Sequence, residues 1–203
     1  MKTAVLRHQP INSIAFYLHD GVEVLDFAGP LEVFSFAGYQ IFTITRTGKA
    51  IKSQGVLTIT PDYSIGNAPD ADMLAFFGGH STGAIQYPEV IQWVRQQRKH
   101  TRYFSVCTGA FFLAEAGLLH GKVATTFHES INYFANRYPE IDVRKDVRYV
   151  DNGNIVTTAG VSAGIDGALH LVEKFQGSKA ARDVARFMEY EHWQSGKGLV
   201  IPS

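Results

Sequence analysis

The stretch FSVCTGAFFLAEAGLL, residues 104–119, contains the only cysteine of the chain, Cys107. Residues 101–106 are typical of a short buried strand, and residues 110–118 are apolar on nearly all sides, as a buried helix is. Small residues lie two positions before and two positions after the cysteine, which is the spacing of a nucleophile elbow. In that motif a sharp turn from strand to helix pushes the middle side chain out of the sheet. The pattern therefore predicts that Cys107 lies on such a turn.

Two interpretations of Cys107 are about equally supported by this stretch alone. In the first, the thiol faces the positive end of a helix, which lowers its pKa and favours the nucleophilic thiolate. In the second, the side chain is a small buried apolar group, as free cysteines commonly are. Other reactive groups near the predicted turn would decide for the nucleophile.

Strand and helix patterns alternate along the whole chain. This alternation predicts a mostly parallel, doubly wound sheet with helices on both faces, a three-layer α/β sandwich. A length of 203 residues suits a single domain, residues 1–203, with a core of about 11–191 and a short tail, 192–203, that is either poorly ordered or packed on a partner subunit. Strands are predicted at 11–18, 40–46, 72–77, 101–106 and 122–126, a two-stranded ribbon at 146–158, and helices after Pro30, Pro88, Gly109, His128, Ser162 and Ser178.

Two helix starts are predicted from single residues. Pro30 is tolerated in the first turn of a helix, so the first helix is expected to begin near it, with Asp26 at or just before the N-terminus. A carboxylate there either caps backbone N–H groups or takes part in chemistry. Ser162 is expected to cap a later helix through its hydroxyl group.

Gly78 and Gly79 follow the predicted strand 72–77 and precede His80. Glycines in this position let the backbone approach a ligand and expose N–H groups as oxyanion donors. Parallel strands end at one edge of the sheet, where ligands bind, so these glycines, Asp26 and Cys107 are expected to lie together. His80 and His128 are predicted only as pocket residues, because a single loop histidine is more often a surface or core residue.

Composition excludes several function classes. Lys plus Arg and Asp plus Glu both number 19, without a long run of one charge, so nothing points to nucleic acid or to an anionic membrane. No apolar run reaches membrane-spanning length, and a signal core is absent, so we expect a cytoplasmic protein. The eight histidines are scattered and there is no pair of cysteines, so neither a metal nor another cofactor is expected.

Four motifs together resemble the ThiJ/PfpI superfamily, relatives of the class I glutamine amidotransferases with a flavodoxin-like fold. The resemblance covers residues 11–191 and is closest to the isocyanide hydratase branch and to the ligand domains of AraC-type regulators. The motifs are LDFAGPLEVF at 25–34, FFGGHSTGA at 76–84, SVCTGAFFLAEAGLLHGKVATT at 105–126 and TTAGVSAGIDGALHLVE at 157–173.

This resemblance implies roles for individual residues. Cys107 is the nucleophile, Asp26 its acidic partner, and Thr108 a hydrogen-bonding residue whose N–H, with that of Gly79, stabilises developing charge. Thr108 replaces the histidine of the protease-like branches, which weakens a peptidase assignment. Phe127 stands within TTFH, where isocyanide hydratases have TTHW, and the residue before the glycine pair is phenylalanine rather than proline.

The resemblance implies an isocyanide hydratase that forms a thioimidate on Cys107, acts on a small molecule and is a homodimer. Two alternatives stay open. One is a non-catalytic protein that senses a ligand, or senses oxidants through the cysteine. The other is a glyoxalase-like or deglycase-like enzyme, which would need a histidine such as His80 or His128 to reach the thiol.

Overall fold

A computed structural model describes residues 11–97 and 101–202. Its strands are β1 (Ser13–Tyr17), β2 (Gln40–Thr45), β3 (Ile51–Ser53), β4 (Leu57–Ile59), β5 (Tyr63–Ser64), β6 (Met73–Phe76), β7 (Arg102–Ser105), β8 (Val123–Ala124), β9 (Asp142–Val143), β10 (Tyr149–Asp151), β11 (Ile155–Thr158) and β12 (Leu199–Val200). Its α-helices are α1 (Val24–Phe36), α2 (Ser81–Ala84), α3 (Pro88–Gln96), α4 (Ala110–Glu115), α5 (Ile131–Arg137), α6 (Ala163–Gln176) and α7 (Ser178–Phe187).

Eight strands form the main sheet, in the order β12-β10-β11-β7-β6-β1-β2-β5. The pairs are parallel except for β10 with β11, which form the predicted ribbon. The mostly parallel α/β fold is therefore confirmed. Strand β11 is itself a core strand beside β7, and β8 pairs with β9 outside the main sheet.

The central strands β1 and β6 are buried on both faces, so they are mainly apolar rather than alternating. In β1, Ile14 and Phe16 belong to the cluster packed with α1, α6 and α7, whereas Ala15 and Tyr17 belong to the opposite cluster with α3, α4 and α5. These are the three predicted layers. Within the described residues, no helix is long and apolar enough to cross a membrane.

The start of α1 differs from the prediction. The helix begins at Val24, so Pro30 is inside it and cannot donate a hydrogen bond to the carbonyl of Asp26. Pro30 is buried, and its ring lies close to Gly164 of α6. Packing between α1 and α6 therefore outweighs the local cost of the proline, which the sequence alone could not show.

Two other predictions differ from the structure. Ser162 occupies the N-cap position of α6 but caps no N–H; its Oγ instead accepts a hydrogen bond from Arg148 at 3.2 Å. In the tail, Leu199–Val200 pairs with β10 as an edge strand of the same chain. Part of the tail therefore belongs to the main sheet, and its packing on a partner subunit stays a prediction.

Candidate active site

Cys107 lies on the predicted strand-to-helix turn. It follows β7, begins a 3₁₀ turn that leads into α4, and has a φ of 59°, which non-glycine residues rarely adopt. Its N–H donates to the carbonyl of Ala159 at 3.1 Å, and its carbonyl accepts from Thr126 Oγ1 at 2.8 Å. At Gly109 a Cβ would lie 2.3 Å from the Phe76 carbonyl oxygen, so the tight turn requires glycine. Contacts with three neighbouring segments therefore stabilise the strained backbone conformation of this turn.

Asp26 projects from the first turn of α1 and is completely buried. Its carboxylate accepts a hydrogen bond from the Gly78 N–H at 2.8 Å and another from the Val161 N–H at 3.0 Å. It also hydrogen-bonds the thiol of Cys107. No side chain caps α1, so Asp26 serves the site rather than the helix end.

Gly78 is the point where Asp26 and Cys107 meet. A Cβ there would lie 2.8 Å from both the Asp26 Oδ2 and the Cys107 Sγ, so only glycine leaves room for the pair. The prediction that Gly78 offers a free N–H to a substrate is wrong, because that N–H is already bonded to Asp26. Its position, rather than a donor role, is what the site uses.

Val161 holds the other carboxylate oxygen of Asp26, and the sequence analysis did not single it out. Its φ is 53°, a strained conformation for a β-branched residue. The one available signal was its place after the strand that ends at Thr158, at the same edge of the sheet. Backbone donors of this kind leave little trace in a sequence, since any residue type carries an N–H.

The pKa of the Cys107 thiol differs from the prediction, and that of Asp26 is shifted as well. Burial and, to a smaller extent, the charge of Asp26 raise the pKa of Cys107 to about 12, and the hydrogen bonds from Thr108 only partly offset these two effects. Burial also raises the pKa of Asp26 to about 6, although the N–H groups of Gly78 and Val161 oppose the shift. The six residues of α4 do not outweigh these effects. The expected low thiol pKa is therefore wrong, and near neutral pH the pair holds one proton, on sulfur.

Gly79 and Thr108 are neighbours, with the Thr108 Oγ1 3.5 Å from the Gly79 carbonyl oxygen. Gly79 has a φ of 99°, and a Cβ there would be 2.1 Å from the Gly21 carbonyl oxygen, so no other residue fits. Among residues 11–97 and 101–202, none accepts a hydrogen bond from its N–H. Thr108 bonds the sulfur through both its N–H and its hydroxyl group, and its Oγ1 accepts from Ser81 at 2.6 Å. The arrangement leaves the Gly79 N–H available to a ligand.

The two candidate histidines line two different cavities. The side chain of His128 is 77% exposed and lies 3.9 Å from Glu129, and that of His80 lies over Gly21 and lines a separate cavity of about 410 Å³. No hydrogen bond or ion pair within the described part of the chain joins either ring to Cys107 or Asp26. His128 lines a cavity of about 630 Å³ together with Thr126 and Ala159, and contact of either histidine with a substrate stays a prediction.

The ring of Phe127, rather than a histidine, lies beside the Cys107 sulfur. A Cβ added at Gly160 would lie 2.4 Å from the Phe127 ring and 3.4 Å from the Cys107 Sγ, so ring and sulfur flank the same glycine. Cys107 is only 6% exposed. The nucleophile therefore has an apolar neighbour on this side and polar partners on the other. Within the described residues, no group of three or more His, Cys, Asp or Glu side chains could hold a metal ion.

The chain is similar in sequence and in fold to known proteins. The DJ-1/PfpI family model matches residues 12–174. An isonitrile hydratase of Pseudomonas putida is 33% identical over 180 residues, which are 87% of this chain and 78% of that protein. The HTH-type transcriptional regulator CdhR of Pseudomonas aeruginosa is 28% identical over 177 residues, 84% of this chain. Those residues cover 52% of the regulator, so the chain spans about half its length. A ThiJ/PfpI family protein from Pseudomonas syringae superposes with a TM-score of 0.82 at 27% identity, covering 93% of this chain and 78% of that one.

Proposed function

Because the chain belongs to the DJ-1/PfpI family, we propose that it is a cysteine-dependent hydratase that converts a small isocyanide to the N-formamide. The observation that carries the proposal is the buried pair of Asp26 and Cys107, whose Oδ2 and Sγ atoms both lie against Gly78. The 33% identity to an isonitrile hydratase supports the same reaction class. Isonitrile and isocyanide are two names for one functional group.

Isocyanide hydration needs a nucleophile and a proton at one carbon atom. Cys107 Sγ attacks the terminal carbon of R–NC while its proton passes to Asp26, which then delivers that proton to the same carbon. The product is the thioimidate R–N=CH–S–Cys107. Water then adds to the thioimidate carbon, the C–S bond breaks, sulfur regains a proton, and R–NH–CHO leaves. Every proton is accounted for by the pair and one water molecule.

The pKa values of the pair suit this sequence. A thiol with a pKa of about 12 is almost fully protonated at pH 7, so it requires a base in contact with it. Asp26, with a pKa of about 6, is ionised at that pH yet is a much stronger base than an exposed aspartate. The substrate is neutral, so it can enter beside the apolar Phe127 ring without loss of charge solvation.

The two alternative functions have less support. Glyoxalase-like and peptidase-like chemistry would use a histidine near the thiol, and no such histidine bonds Cys107 in the described residues. Oxidant sensing favours an exposed thiol of low pKa, whereas this thiol is buried and its pKa is raised. Ligand sensing without turnover remains the distinct competitor. That the protein is a homodimer remains a prediction from the family resemblance.

The pH dependence of turnover follows from Asp26. Below pH 6 the pair takes up a second proton, and a protonated carboxyl cannot accept the thiol proton. We expect kcat/KM for a neutral isocyanide to be level near pH 7.5 and to fall about tenfold per pH unit well below pH 6. Initial rates between pH 4.5 and 8.5 measure this. A level profile down to pH 5 would contradict the role of Asp26 as base.

The proposal is tested by turnover of a panel of alkyl and aryl isocyanides, with the N-formamide quantified by chromatography. Methylglyoxal serves as the comparison substrate for glyoxalase-like chemistry. Formamide production that depends on Cys107 supports the proposal. Binding of the isocyanides without formamide would favour a ligand sensor, and turnover of methylglyoxal alone would favour the glyoxalase-like alternative.

A further inference from the structure

His19 is a buried titratable residue that the proposed mechanism does not use. It follows β1 and is 5% exposed. Its Nδ1 lies 2.9 Å from the carbonyl oxygen of Asp20, and its Nε2 lies 3.2 Å from the carbonyl oxygen of Phe77. Both ring nitrogens therefore face acceptors. A neutral imidazole has one N–H and can satisfy one of these carbonyls, whereas the imidazolium satisfies both.

The Phe77 carbonyl belongs to the peptide that holds the catalytic carboxylate. On the other side of this peptide, the Gly78 N–H donates to Asp26 Oδ2 at 2.8 Å. A hydrogen bond to a carbonyl polarises its peptide and makes the N–H a better donor. A better donor in turn stabilises the ionised form of the carboxylate. His19 and Asp26 are thus connected through a single peptide unit.

We propose that His19 is a positioning residue of the Cys107 site, and that its protonated ring bridges the Asp20 and Phe77 carbonyls and fixes the Phe77–Gly78 peptide against Asp26. The inference concerns the site of the proposed function, but it depends on the Asp26–Cys107 pair rather than on the identity of a substrate. It goes beyond the proposed mechanism because His19 touches neither the thiol nor the carboxylate.

The surroundings of the ring define when this bridge forms. Asp20 on its own loop and His80 at the start of α2 are the titratable groups that act on it, and α4 contributes the uncharged ring of Phe112 at 5.7 Å. Burial lowers the pKa of His19, with the carbonyls of Asp20 and Phe77 opposing the shift. Because burial keeps the pKa of His19 below its ordinary value, this bridge forms at acidic pH.

Thermodynamic linkage gives a test that a merely structural histidine would not pass. If the imidazolium stabilises the ionised Asp26, then the ionised Asp26 must stabilise the imidazolium by the same free energy. We expect His19→Phe to raise the pKa of Asp26. We also expect Asp26→Asn to lower the pKa of His19, and the two shifts should agree in size.

The first shift is read from the rate at which iodoacetamide alkylates Cys107 between pH 4.5 and 8.5, which requires the Asp26 base but no substrate turnover. The second is read from the NMR titration of the His19 ring. His19→Gln, whose amide can donate to the Phe77 carbonyl but carries no charge, should recover part of the first shift. The exposed His120→Phe is the matched control and should leave both curves in place.

Two outcomes would overturn the proposal. One is an alkylation profile of His19→Phe that superposes on that of the wild type. The other is a His19 titration that Asp26→Asn does not move, and this arm remains informative even if His19→Phe fails to fold. Because alkylation needs no isocyanide, a protein that hydrates no isocyanide can still pass or fail this test.

Discussion

Replacement of Cys107 with alanine is expected to abolish isocyanide hydration. In the proposed reaction the thiol forms the bond to carbon, and the chain contains one cysteine, so no neighbouring thiol can substitute. The loss expected for removing a covalent nucleophile is roughly a thousandfold or more in kcat. Formamide production by the purified variant, at substrate concentrations above the wild-type KM, measures the effect.

The conservative variant Cys107→Ser separates chemistry from structure. It keeps the size and the hydrogen bonds of the side chain but has a far weaker nucleophile, so it should be nearly as inactive as the alanine variant. Both variants should unfold near the wild-type temperature, because the backbone of residue 107 is held by the Ala159 carbonyl and the Thr126 hydroxyl group, which neither substitution removes. Full activity in either folded variant would show that Cys107 is not the nucleophile.

Replacement of Asp26 with asparagine is expected to lower kcat/KM by about 10²–10⁴-fold, the usual contribution of a general acid–base group. The amide can neither accept the thiol proton nor deliver it to the substrate carbon. Alkylation of Cys107 by iodoacetamide at pH 7 should slow as well, because the thiol then lacks a base. Glu32→Gln, which removes an exposed carboxylate on the same helix, should change neither rate.

Loss of activity in Asp26→Asn is not expected to arise from unfolding. The pKa of Asp26 is raised from 3.8 to about 6, so its ionised form destabilises the folded state above pH 6, and this cost disappears as the pH falls from 6 towards 4. A shift of this size corresponds to about 3 kcal/mol at neutral pH. The unfolding free energy of the variant should therefore depend less on pH than that of the wild type. A variant that is both inactive and unfolded at pH 7 would leave Asp26 with a structural role only.

Much of the fold and the meeting of the reactive groups could be predicted because they depend on simple patterns. Apolar runs separated by helical patterns specify a parallel sheet, and parallel strands bring their C-terminal ends to one edge. Asp26, Gly79 and Cys107 each follow a different strand, and they converge in the structure. The close approaches at Gly78 and Gly79 also explain why two glycines occur together at 78 and 79.

Properties set by tertiary contacts could not be predicted. The pKa of Cys107 depends on its burial and on its contact with Asp26, which lies 81 positions away in the sequence, and no strand or turn pattern indicates that contact. The helix that follows the cysteine suggested a lowered pKa instead. Likewise, the hydrogen bond of Gly78 to Asp26 removes a donor that the sequence appeared to offer, and Val161 gains a role through its backbone alone. The positions of the histidines in the sequence gave no indication that His19, rather than His80 or His128, lies beside the site.

The most direct measurement is the intact mass of the wild-type protein, quenched in acid within milliseconds to seconds of mixing with one equivalent of an isocyanide. We expect a transient adduct whose added mass equals that of the whole isocyanide, located on Cys107 by peptide mapping, that decays as N-formamide appears. Formamide released with no adduct at any time, together with full turnover by Cys107→Ala, would contradict covalent catalysis by Cys107.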